Sequence, residues 1–197
     1  MERGLTDLVG ILAFDGVDDT DLLPAVGLLK KAALLAGEGS LRAALWGAGQ
    51  SVVTAGGVRL EVDVEWARTS SWSALVVPGG SAATTVPLPA DLRRGLRAHV
   101  SASRPVYCIC GGVRLLARVV SLQGLRVARP RSAHDVAGMG GARLLDGPVE
   151  SDRWLVTVAG ADGAGLKSTR AASALLRDLH PGLAERLEAR LGHPLPA

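Results

Sequence analysis

Apolar positions along this chain follow two rhythms, short unbroken runs and longer stretches at helical spacing, and the two alternate. Leu8–Phe14 is a continuous apolar run stopped by Asp15-Gly16, the pattern of a strand buried on both faces. Asp18-Asp19-Thr20-Asp21 precedes an Ala/Leu-rich stretch, Leu22–Ala36, that ends at Gly37 and Gly39. Acids before and glycines after such a stretch mark the two ends of a helix. Pro24 then falls in the first turn, where its missing N–H is tolerated. A second strand is expected at Leu41–Trp46. Ser51–Val53 and Val58–Val64, separated by Ala55-Gly56-Gly57, are expected to form a small hairpin or excursion, and Ser73–Val77 is expected as a buried strand closed by Pro78-Gly79-Gly80. Asp91–Ser101 has helical spacing, and a strand running into Cys108 and Cys110 leads to another helix reaching Val120. Beyond Gly124 the period weakens to a short strand and an irregular segment over Val127–Gly141. Trp154–Val158 reads as a late strand, and Ala161–Leu179 and Leu183–Leu191 read as helices separated by Pro181-Gly182.

Strands alternating with helices predict an α/β fold, a mostly parallel sheet with helices on both faces in a three-layer α/β/α sandwich. The 197 residues suit a single domain spanning 1–197. Ligands of such sheets bind beyond the carboxyl ends of the strands. Phe14-Asp15-Gly16, Pro78-Gly79-Gly80 and Ile109-Cys110-Gly111 are expected to meet there.

The chemistry concentrates in Pro105-Val106-Tyr107-Cys108-Ile109-Cys110-Gly111-Gly112-Val113-Arg114-Leu115-Leu116. An apolar strand stops at a cysteine, and two glycines precede a helical pattern. A side chain at such an elbow projects from the sheet edge. The helix N-terminus that follows is expected to lower the thiol pKa. Cys110 is therefore the candidate nucleophile, whereas Cys108, inside the strand, is expected in the core. The amides of Gly79, Gly80, Gly111 and Gly112 are candidates for an anion-stabilising pocket. Asp18, Asp19 and Asp21 all suit a helix start, and the residues alone do not rank them.

Composition narrows the classes. Hydrophobic residues make up 48% and charged residues 21%, which excludes general disorder, and aromatics at 3% leave the core to Ala, Val and Leu. The net charge is +3, and the positive charge is almost all arginine. The groups Arg93, Arg94, Arg97 and Arg126, Arg129, Arg131 lack interleaved aromatics, so solvated faces and no nucleic-acid partner are expected. Two cysteines two residues apart suit neither a disulfide nor a zinc site. No metal and no cofactor is expected. The first residues carry no secretion signal and no apolar run reaches membrane-spanning length, so no membrane partner and a reducing cytoplasm are expected.

Over most of its length the sequence resembles the ThiJ/PfpI superfamily, whose fold is of the flavodoxin-like, class I glutamine amidotransferase type. The resemblance rests on Gly10-Ile11-Leu12-Ala13-Phe14-Asp15-Gly16-Val17, Leu75-Val76-Val77-Pro78-Gly79-Gly80, Ile109-Cys110-Gly111-Gly112 with Leu115 and Leu116, and Leu155-Val156-Thr157 with Ala164-Gly165-Leu166. Phe14-Asp15-Gly16-Val17 followed by Asp21 is most similar to the isonitrile hydratase branch. The resemblance implies a homodimeric enzyme on a small electrophilic molecule, with Cys110 as nucleophile, Asp21 as its acid/base partner, and Gly80 and Gly111 N–H groups as anion donors. It also implies alternatives: a glyoxalase or deglycase acting on reactive carbonyls, a specialised natural-product enzyme, or a non-catalytic cysteine sensor. The chain departs from the pattern at Arg129-Pro130-Arg131, where relatives carry a histidine, and at Lys167, where they often carry an acid. His134 is the histidine that could replace the first.

Overall fold

The computed structural model describes residues 6–37, 39–68, 71–130, 139–159 and 165–197. Its strands are β1 (Asp7–Ala13), β2 (Leu41–Gly47), β3 (Ser51–Val53), β4 (Arg59–Glu61), β5 (Val64–Glu65), β6 (Ala74–Val77), β7 (Val106–Ile109), β8 (Arg126–Ala128), β9 (Arg143–Leu145), β10 (Val149–Asp152) and β11 (Leu155–Val158). Its helices are α1 (Asp19–Ala36), α2 (Ala90–Ser101), α3 (Gly112–Ala117), α4 (Leu166–Leu179) and α5 (Pro181–Leu191). Seven strands make one sheet in the order β10-β11-β7-β6-β1-β2-β5. Every pairing in it is parallel except that of β10 with β11. The expected α/β architecture is the observed one.

The strands that carry the site are fully buried, because a parallel strand covered on both faces needs apolar residues at every position. β6 and β7 read Ala-Leu-Val-Val and Val-Tyr-Cys-Ile with no exposed residue. Cys108 pairs with Val77 on one side and Thr157 on the other, so it belongs to the core as expected. Helices α1, α4 and α5 pack on one another, with α1 against β2 and α4 against β7 and β11. Trp46 and Trp72, both buried, meet with ring centroids 5.8 Å apart under Gly95 of α2, so these tryptophans are packing residues.

Several boundaries differ from expectation. Helix α1 starts at Asp19, which puts Pro24 sixth in the helix and not in its first turn. Helix α3 ends at Ala117 because Arg118 and Val119 close tighter turns onto Leu115 and Leu116. Strands β9 and β10 lie in a stretch whose polar residues and glycines hid any period. Helix α5 begins at Pro181, whose missing N–H costs nothing at a first helical position. The arginine groups are largely engaged with their own surroundings. Arg94 meets Asp91, Arg97 donates to the Val119 carbonyl, and Arg126 and Arg129 pair with Asp152 and Asp146.

Candidate functional site

Cys110 is the first residue past β7, and its N–H still donates to Val158 O over 2.8 Å, continuing the pairing with β11. The chain then turns into α3 with Cys110 at φ 50, a left-handed conformation that costs a non-glycine residue about 1–3 kcal/mol. The turn lifts the half-buried thiol clear of the sheet edge, and the Gly111 N–H faces its sulfur.

The three expected loops do converge. Asp18 N–H donates to Gly79 O over 3.2 Å, tying the β1–α1 loop to the β6 loop. A Cβ on Gly79 would stand 2.5 Å from Gly111 N and 2.8 Å from Asp21 Oδ2. Glycine is therefore what lets the elbow amide and the Asp21 carboxylate share one spot. Gly80, at φ 112, backs onto Asp18 N and Gly16 O. Its own amide lies 3.7 Å from where a Cβ of Gly111 would stand.

The structure separates the three acids that the sequence left equal. Asp18 is the N-cap of α1, its carboxylate accepting from Thr20 N–H and Asp21 N–H. Asp19 points to the β3–β4 hairpin, where it accepts from the Thr54 hydroxyl and from Gly56 N–H. Asp21 alone turns inward, with 3% of its surface exposed. Burial pushes its carboxyl up to about 6, against the opposing pull of the Lys167 charge and the Gly79 N–H.

The thiol departs from expectation. Burial, reinforced by the neighbouring Asp21 charge, raises the Cys110 pKa; Lys167 and the Gly111 N–H offset only part of the rise. Helix α3 is six residues long and its dipole is correspondingly weak. Cys110 therefore rests as a thiol beside a carboxylate, not as a preformed thiolate.

Lys167, second in α4, reaches the same sulfur. Sequence reasoning singled it out only as a cation standing where an acid was expected. His134 lies outside the described residues. Among the described residues no cluster of three or more His, Cys, Asp or Glu side chains is placed to hold a metal ion, and no helix is long and apolar enough to cross a membrane.

A cysteine on a strand-to-helix elbow over a parallel sheet, faced by a buried acid from the first helix, defines a cysteine-centred α/β protein. The DJ-1/PfpI family pattern matches residues 8–166, and the chain belongs to that family. Its fold is similar to Drosophila melanogaster DJ-1beta, at a TM-score of 0.79 and 17% identity over 96% of this chain and 99% of that one. It is also similar to an AraC family transcriptional regulator from Pseudomonas putida, at a TM-score of 0.70 and 23% identity over 94% and 99%. A two-domain protein from Anabaena variabilis, with DJ-1/ThiJ/PfpI-like and ferritin-like domains, aligns at a TM-score of 0.74 and 21% identity over 98% of this chain. This chain spans 50% of that protein's length. Among curated proteins no match was found.

Proposed function

We propose that this protein is a cysteine-dependent enzyme that adds water across an electrophilic carbon, in its concrete form the hydration of an isonitrile to an N-substituted formamide. The observation that carries the reading is the pairing of Cys110, held at φ 50, with a buried Asp21 whose carboxyl is pushed up to about 6. Such a carboxylate is ionised at neutral pH yet basic enough to take a proton, which is the requirement for general acid/base work.

The thiol of Cys110 gives its proton to Asp21 as the sulfur electron pair forms a bond to the terminal isonitrile carbon. Asp21 returns that proton to the same carbon, leaving a thioimidate. Asp21 then takes a proton from water while the oxygen adds to the thioimidate carbon, and passes that proton to the nitrogen. As the carbon–sulfur bond breaks, the proton of the added hydroxyl passes through Asp21 to the departing sulfur, so that the N-substituted formamide leaves and the thiol is restored. Covalent attack splits one difficult addition into two easier ones. The Gly111 N–H faces the reacting sulfur and suits the charge that develops there, and the Gly80 amide would be the second donor of an anion-stabilising pocket.

The reading carries with it a homodimer working in the cytoplasm. Formamide appearance from a simple alkyl isonitrile tests it. Activity should disappear in Cys110→Ser and fall by roughly 10²–10⁴-fold in Asp21→Asn. Turnover of methylglyoxal with none of the isonitrile would assign the site to carbonyl chemistry instead.

A further inference from the structure

Lys167 is half-buried in the first turn of a 14-residue helix that has no acid in that turn. A helix N-terminus is electropositive, so a lysine there is disfavoured by the helix's own electrostatics. One anion, the Asp21 carboxylate, and the neutral Cys110 thiol face it. Lys167 is the charge acting most strongly on Asp21, and its side chain reaches the Cys110 sulfur.

The backbone beneath Lys167 is fixed. Ser168, with no exposed surface, donates to Asp21 O over 2.7 Å and accepts from Ala25 N–H over 2.9 Å. These are the two groups that a regular α-helix pairs with each other, so the hydroxyl is built into the turn of α1 that contains Pro24. Gly165, at φ 84, stands against the same proline, a Cβ there falling 3.4 Å from Pro24 Cγ. The residue preceding Ser168 is thus carried on backbone locked to Asp21.

We propose that Lys167 is a third catalytic residue beside Cys110 and Asp21, its ammonium balancing the negative charge that develops on sulfur as the thiol is deprotonated. The inference rests on Cys110 being the nucleophile. When the S–H bond breaks, the proton goes to the Asp21 carboxylate and the electron pair stays on sulfur until it bonds carbon. Lys167 keeps its own proton throughout. Among the described residues the charges facing the sulfur are Asp21 from α1 and Lys167 from α4, with Asp18 acting on Asp21.

Alkylation of Cys110 by iodoacetamide, located by peptide mass spectrometry and followed against pH, tests the charge without any substrate. Lys167→Met should move the alkylation midpoint upward, slowing the reaction near neutral pH by roughly tenfold for each pH unit moved. Lys167→Glu should move it further, and Lys167→Arg should stay close to the unmodified protein. If the methionine variant does not fold, Lys167→Gln gives the same comparison. One shared profile for all variants, or a slowing that does not follow the charge, would overturn the proposal. Failure to hydrate isonitriles bears on the substrate, whereas a charge-blind alkylation profile bears on Lys167, so the two failures are distinguishable.

Discussion

Gly112 opens α3 so close to the end of β6 that a Cβ on it would stand 2.0 Å from Val77 O and 2.8 Å from Val77 C. Both obstructing atoms are backbone and cannot swing aside. Gly111, one residue earlier, has φ −68, and a Cβ there would meet nothing nearer than 3.5 Å. The two adjacent glycines thus have different duties, close packing for Gly112 and an amide facing the sulfur for Gly111. Gly112→Ala should destabilise by about 1–3 kcal/mol through overpacking, whereas Gly111→Ala, with room for a Cβ and a φ open to alanine, should be neutral to stabilising by under about 1 kcal/mol. Urea unfolding of the two variants checks this, and equal midpoints would show that the helix simply shifts to make room.

Asp21 makes stability depend on pH in an uncommon direction for a carboxylate. Its folded pKa, pushed up to about 6, lies above the unfolded value of 3.8. The folded state therefore favours the neutral carboxyl. That stabilisation is fully present below the unfolded value and is lost as pH rises through about 6. The loss amounts to about 3 kcal/mol across the window. Asp21→Asn cannot ionise, so it should melt higher than the unmodified protein above about pH 6, with the gap shrinking steadily toward about pH 4. Melting curves of both proteins across that range isolate this residue from the other acids. A gap that does not change with pH would mean that the buried carboxyl is not the titrating group.

The parallel strands were legible because burial on both faces writes itself into unbroken apolar runs such as Leu8–Phe14 and Ser73–Val77. The elbow was legible for the same reason, since Ile109-Cys110-Gly111-Gly112 breaks a run with a nucleophile and two glycines. What could not be read depends on approach between distant segments. Asp18, Asp19 and Asp21 are equivalent as helix-start acids, and only the hairpin at Thr54 and Gly56 draws Asp19 away while the elbow receives Asp21. The raised thiol pKa was unreadable too, because it depends on how deeply Cys110 sits beside Asp21. Strands β9 and β10 escaped because short edge and excursion strands can be half-polar, as Val149-Glu150-Ser151-Asp152 is.

Ser168 should matter to both stability and the site. Its hydroxyl satisfies Ala25 N–H and Asp21 O together in a place that water does not reach. Removing one partner from buried polar groups costs about 1–3 kcal/mol. Ser168→Ala should therefore lower the unfolding free energy by that order and leave the start of α4 less firmly held over Cys110. Ser168→Thr keeps the hydroxyl but adds a methyl in a closed space. The alanine variant should show faster amide exchange at Ala25 than the unmodified protein. Exchange at Ala25 no faster than before would show that the helix re-forms its own bond and does not need the serine.

The two cysteines should differ in kind, not only in degree. Cys108 is 1% exposed in the middle of the sheet, and burial alone raises its thiol far above the ordinary value. Cys110 is half-buried at the sheet edge, with a rise from burial and Asp21 that Lys167 partly offsets. Iodoacetamide attacks only the ionised sulfur. In the native protein one equivalent should enter, at Cys110, and its rate should still be climbing at about pH 9, where an ordinary cysteine has largely levelled off. Below about pH 6 Asp21 becomes neutral, which removes its repulsion of the sulfur anion. The rate should accordingly fall less than tenfold for each unit of pH across that region. Peptide mapping after short exposures at several pH values gives both the site and the slope. Modification of Cys108 in the folded chain would contradict the burial, and a plateau near neutral pH would mean that Cys110 is ionised at rest and needs no base.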